Sequence, residues 1–125
     1  MRGLLVLLAV LVLAGCATSA VAPRPAAISH IVLIKLDDPS RADELVADCD
    51  RLLATIHSVV SYAAGKHVEA GRGTVLNDYD VAIYVGYGTM AGYAEYVEHP
   101  QHVELVQKWG PVSQITVRDF LDPTP

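Results

Sequence analysis

The side chains best able to do chemistry gather around one proline, in the stretch Tyr96-Val97-Glu98-His99-Pro100-Gln101-His102. Pro100 disfavours helical geometry at His99 and suits the first position of a new helix, so His102 falls in a first turn. There the helix dipole disfavours the imidazolium, and the ring stays neutral and basic. A structural reading runs beside this one, in which His99 caps the helix, Pro100 opens it and Tyr96 and His102 support packing. Metal binding is not expected: His99 and His102 lie three apart, with His30, His57 and His67 elsewhere, whereas zinc sites usually take at least three protein ligands. There is no His-Glu-x-x-His, no phosphate-cradling glycine loop and no nucleophile triad, and Gly71-Arg72-Gly73 reads as a turn. No cofactor is expected.

A second chemical feature lies near the N-terminus. Arg2 supplies a positive start, and the apolar run Leu4 to Ala14 is about 11 residues, short of the ~20 that span a bilayer. Leu13-Ala14-Gly15-Cys16 then resembles the lipobox of bacterial lipoproteins, which implies cleavage before Cys16 and acylation of its thiol. Small Ala14 and Gly15 let the backbone enter a peptidase groove, and the thiol can carry a thioether-linked lipid. One acyl chain anchors only marginally, at ~0.8 kcal/mol per buried CH₂, whereas the three that the resemblance implies hold permanently. Residue 17 is Ala and not Asp, which favours an outer membrane where there is one. The expected division is a signal peptide at 1–15, the lipidated cysteine and a flexible linker at 16–27, and one domain at 28–122. The linker has small residues, two prolines and no apolar period, and reaches at most ~36 Å.

The chain has 125 residues, 52% of them hydrophobic and 18% charged, which suits one globular domain behind the leader. Its formal net charge of −5 becomes one unit more negative when Arg2 leaves with the signal peptide, which argues against a nucleic-acid partner. Of the 2 cysteines, Cys49 alone would remain as a thiol after acylation of Cys16, so the domain must hold by packing. Cys49 itself reads as a small buried apolar residue.

The elements that must position the tyrosine and histidines follow from periodicity. Ile28 to Leu36 is a β-branched strand with apolar residues on both faces, Ile28, His30, Val32, Ile34, Leu36 against Ser29, Ile31, Leu33, Lys35. Ser40 with Asp43 and Glu44 looks like a capping box, opening a helix with Ala42, Leu45, Val46, Cys49, Leu52, Leu53 and Ile56 on one face. A weaker strand is expected over Tyr62–Ala70 and an alternating one over Asp80–Tyr87. Thr89 caps a short helix ending near Glu98, the helix opened by Pro100 runs to Trp109, and Val112–Leu121 forms a last strand. The order β, α, β, β, α, α, β predicts an α+β, ferredoxin-like antiparallel sheet with helices on one face. Since the first strand is apolar on both sides, the bare face needs cover, and a second copy supplies it most simply as a homodimer.

This order, with His30-Ile31-Val32-Leu33-Ile34-Lys35-Leu36, Gly65-Lys66, Tyr79-Asp80-Val81-Ala82 and the Tyr-x-x-His-Pro-x-His stretch, resembles the stress-responsive dimeric α/β-barrel (Dabb) family. The resemblance implies a dimeric α+β barrel. A plant polyketide cyclase of that family works without a cofactor, and by position Tyr96 and His102 resemble its acid–base pair, with His30 matching a further histidine. A neutral imidazole can remove a proton α to a carbonyl while a phenol hydrogen-bonds the resulting enolate. Where the plant enzyme has a second pocket histidine, this chain has Val81. His99 and Tyr93 are added as candidate ligand contacts, Tyr93 as one of 6 tyrosines suited to an amphipathic cavity. The leading expectation is an extracytoplasmic, lipid-anchored envelope protein that binds a small apolar ligand or acts in stress response. A cofactor-independent lyase or cyclase and a structural envelope protein without a pocket are the alternatives.

Overall fold

The structure, a computed structural model, describes residues 21–123. Cys16, the leader expected at 1–15 and the first part of the expected linker lie outside the described residues. The elements run β1 (Ile28–Leu36), α1 (Ala42–Leu52), β2 (Val59–Lys66), β3 (Val81–Tyr87), α2 (Met90–Glu98), α3 (Pro100–Trp109) and β4 (Ser113–Leu121), in the order the periodicity predicts. The strands form one antiparallel sheet ordered β2-β3-β1-β4, the ferredoxin-like arrangement, with β1 and β3 central.

The helices cover one face. Ile28, Val32, Ile34 and Leu36 of β1 and Val81, Ile83, Val85 and Tyr87 of β3 pack with Leu45, Cys49 and Leu52 of α1 and Leu105 and Trp109 of α3. Each fully buried large side chain contributes roughly 1.5–3 kcal/mol of burial. On the other face Ile31, Leu33 and Lys35 are only half-buried, so the cover expected there is absent within one chain. Cys49 is fully buried, and burial pushes its thiol up to about 12, which suits an inert packing role.

Several boundaries differ from the periodicity. Asp38, and not Ser40, is the cap: it accepts from the Ser40 N–H at 3.0 Å and opens a 3-10 turn over Pro39–Arg41 that precedes α1. Proline at the first position of that turn selects the acid ahead of it as the cap. Helix α1 stops at Leu52, and Ile56 is buried from the following turn. Strand β2 begins at Val59 and ends at Lys66, because its partner β3 begins only at Val81, opposite Lys66.

One buried acid ties α1 to α3. Asp48 accepts from Trp109 Nε1 at 3.0 Å, Lys108 Nζ at 2.6 Å and Arg51 at 3.1 Å. Burial opposes its ionisation, but these donors outweigh it and hold its pKa below the ordinary value. Trp109, so anchored, closes one end of the space beneath the helices.

The segment ahead of β1 has no regular structure, yet its last residues are held. Arg24 pairs with Asp122 at 2.5 Å, the Asp122 N–H donates to the Ala27 carbonyl at 2.7 Å, and Ala26 is buried. Gly86 makes that burial possible, since a Cβ there would lie 2.6 Å from the Ala26 Cβ and 2.1 Å from Ser61 Oγ. No helix among the described residues is long and apolar enough to cross a membrane.

Candidate functional site

The helices lie over β2, β3 and β1 and leave the edge strand β4 uncovered. Ile115 and Val117, which share the helix-side face, keep 42% and 39% of their surface exposed. The result is a cavity of about 260 Å³ between α2–α3 and the β1–β4 pair, with walls including Val32, Ile34, Leu105, Val106, Ile115 and Val117. Among this apolar lining stand His30, Tyr96 and His102. A few polar groups on a mostly apolar wall is the usual composition of a small-molecule site.

Each polar group is held by its own element. Pro100 breaks the chain as expected: Tyr96 ends up buried on α2 and His102 in the first turn of α3, their rings 4.4 Å apart between centroids. His102 Nδ1 lies 2.9 Å from the Val97 carbonyl. A carbonyl can only accept, so Nδ1 carries the proton and the neutral ring keeps its lone pair on Nε2, which has no hydrogen-bond partner among the described residues. Burial lowers the His102 pKa, and nearby His30 and His99 lower it further against the Val97 hydrogen bond. Burial likewise raises the Tyr96 pKa, so its phenol stays protonated.

His30 enters from β1. Its ring centroid is 6.0 Å from that of Tyr96, and its Nδ1 lies 2.6 Å from Asp119 Oδ1 on β4. Tyr93 on α2 donates to the other carboxylate oxygen at 2.9 Å. Burial first, then donation to Asp119 and its negative charge, pushes the Tyr93 phenol up to about 12. The carboxylate therefore fixes a buried imidazole and a protonated phenol together, and the Nε2 of the imidazole has no hydrogen-bond partner among the described residues.

Of the residues singled out in the sequence, His30, Tyr96 and His102 come together around the cavity. Tyr93 and His99 do not line it. Tyr93 stands behind His30 and lines a shallow groove with Met90, Ala94, Val97 and Glu98. His99 is occupied as the cap of α3, its Nδ1 accepting from the Gln101 N–H at 3.3 Å. Asp119 was not singled out. Its signal is the period-two pattern Ile115, Val117, Asp119, which sets an acid on the apolar face of a strand. Among the described residues no group of three or more His, Cys, Asp or Glu side chains is placed to hold a metal ion.

Comparison with known proteins agrees with this architecture. A stress-response A/B barrel domain-containing protein of Arabidopsis thaliana is 25% identical over 92 residues, covering 73% of this chain and 82% of the relative. A dimeric ferredoxin-like protein of unknown function from Thermobifida fusca superposes with a TM-score of 0.64 at 23% identity, covering 76% of this chain and 90% of its own. The hydroxynitrile lyase of Passiflora edulis superposes with a TM-score of 0.67 at 15% identity, covering 82% and 98%. At these identities the solved structures show a shared fold. The family model of the Stress responsive A/B Barrel Domain matches residues 28–122, and the chain belongs to this Dabb family.

Proposed function

We propose that the protein is a lipid-anchored envelope protein whose Dabb domain binds a small, largely apolar molecule with one polar group. The observation that carries this reading is the cavity of about 260 Å³, apolar except where His30, Tyr96 and His102 meet. An acyl or alkyl body fits the Val32, Ile34, Ile115 and Val117 walls, and a carbonyl or hydroxyl fits beside the ring nitrogens and phenol. Such a cavity argues against a purely structural envelope protein. The anchor at Cys16 is inferred from the lipobox-like residues, and places the domain outside the cytoplasm. A homodimer is the reading favoured for the half-buried sheet face, in line with relatives described as dimeric. Native mass spectrometry of the protein extracted from its own host tests all three parts: lipid mass, dimer mass and a retained small molecule are expected together. A monomer with an empty cavity would overturn both ligand and dimer.

A second reading is favoured by the His102 hydrogen bond. With Nδ1 committed to Val97 and Nε2 without a partner among the described residues, the neutral imidazole is set to accept a proton from carbon, while Tyr96 hydrogen-bonds the developing oxyanion. This is the arrangement a cofactor-independent lyase or cyclase needs. It predicts that Tyr96→Phe and His102→Ala abolish turnover with the fold intact, whereas a binding module loses only affinity. An extracytoplasmic address separates the domain from thioester polyketide substrates, and so favours binding.

A further inference from the structure

The end of the sheet where the N-terminal segment joins carries a set of exposed apolar side chains. The ladder places Ile28 opposite both Tyr87 and Leu121, and Val59 opposite Tyr87, so these residues share one end of the sheet. Around it Val60, Met90 and Leu121 are exposed by 60%, 65% and 69%. Arg24 pairs with Asp122 at this end. The opposite end, where Leu36 meets Ser113 and Lys66 meets Val81, carries Asp37, Asp38 and Asp78 beside the pairs Lys35–Asp80, Lys66–Asp43 and Arg41–Glu44.

We propose that the Val60, Met90 and Leu121 end docks on the lipid surface to which Cys16 ties the chain, so that the domain stands on the membrane in one orientation. The proposal rests on the anchored reading above. Its argument is the covalent reach. Because Arg24, Ala26 and Ala27 are held against the domain, the covalent path back to Cys16 is residues 16 to 24, whose reach cannot exceed roughly 29 Å. A nine-residue strand at about 3.4 Å per residue makes the sheet about 30 Å long. Docking by the opposite end would need all of that maximum reach, whereas docking by the near end needs little of it. Apolar side chains at such a surface gain by leaving water.

The test uses the full lipidated chain reconstituted in vesicles of phosphatidylethanolamine and phosphatidylglycerol. An environment-sensitive fluorophore is attached to Leu121→Cys or Met90→Cys, with Arg72→Cys in the β2–β3 loop as the far-end control. Buried Cys49 and acylated Cys16 do not label. The expected result is a blue-shifted emission at 121 and 90, quenched several-fold more by spin-labelled lipid than at 72. Adding Val60→Glu should abolish the difference while thermal unfolding shows the domain still folded. Mass spectrometry of the same sample reads the lipid on Cys16 independently. Lipidated protein with equal quenching at all three positions would overturn the orientation alone. Protein without lipid would overturn the anchor and this orientation with it. A blue shift at 121 in detergent-solubilised dimer, unchanged by vesicles, would assign the patch to a second copy and overturn the proposal.

Discussion

His30 on β1 and Asp119 on β4 face each other in the antiparallel ladder, with the imidazole Nδ1 2.6 Å from the carboxylate oxygen. Because the carboxylate accepts, the proton of His30 is held on Nδ1, and the ring is oriented by a residue 89 positions away. Tyr93 binds the second oxygen at 2.9 Å, so removing one side chain frees two others.

Asp119→Ala should therefore leave the fold in place and loosen the site. Hydrogen bonds to charged groups contribute roughly 1.5–3 kcal/mol when buried, and Asp119 is 41% exposed, so a loss of about 1 kcal/mol is expected. Nitrogen NMR of His30 should show the tautomer change from Nδ1–H to a mixture. Unchanged nitrogen shifts would remove Asp119 from the site.

Asp48→Ala should be more costly. It strands the indole N–H of Trp109 inside the core and strips Lys108 and Arg51 of a shared acceptor. About 2 kcal/mol is expected, measured by denaturant unfolding. The same acid makes stability pH-dependent. Its folded pKa is depressed, so its contribution is present above the unfolded value of about 3.9 and is lost as pH falls through the folded value. Acid unfolding below about pH 4 should flatten in Asp48→Asn.

His102 should titrate below the ordinary histidine value of about 6.5, because burial disfavours its charged form. A depressed base contributes stability above its unfolded pKa and loses it as pH falls through the folded one. Proton NMR of the ring should show a neutral imidazole at pH 7. A titration above the ordinary value would exclude it as the neutral base of the second reading.

Gly86→Val should release the segment ahead of β1. A side chain at position 86 meets the Ala26 Cβ at 2.6 Å and Ser61 Oγ at 2.1 Å, so one of them must move. Overpacking of this kind costs about 1–3 kcal/mol. The informative measurement is elastase cleavage at the Ala26–Ala27 bond, which should become faster in the variant. Equal cleavage rates would mean that Ala26 is not held.

The amino-acid sequence by itself determined the elements and their order. Period-two runs such as Val81, Ile83, Val85 and Tyr87 and the one-faced run of α1 are local properties of the chain, and so is the helix break that Pro100 imposes between Tyr96 and His102. The cap at Asp38 was hidden because Ser40 offers the same local chemistry, and only the proline geometry decides between them. What the tertiary structure alone decided is the site. Strand register, a long-range property, puts Asp119 against His30. Placement of the helices over β2, β3 and β1 but not β4 opens the cavity, and no periodicity within one element records that. Docking of Ala26 beside Gly86 depends on a space that exists only once three strands have paired.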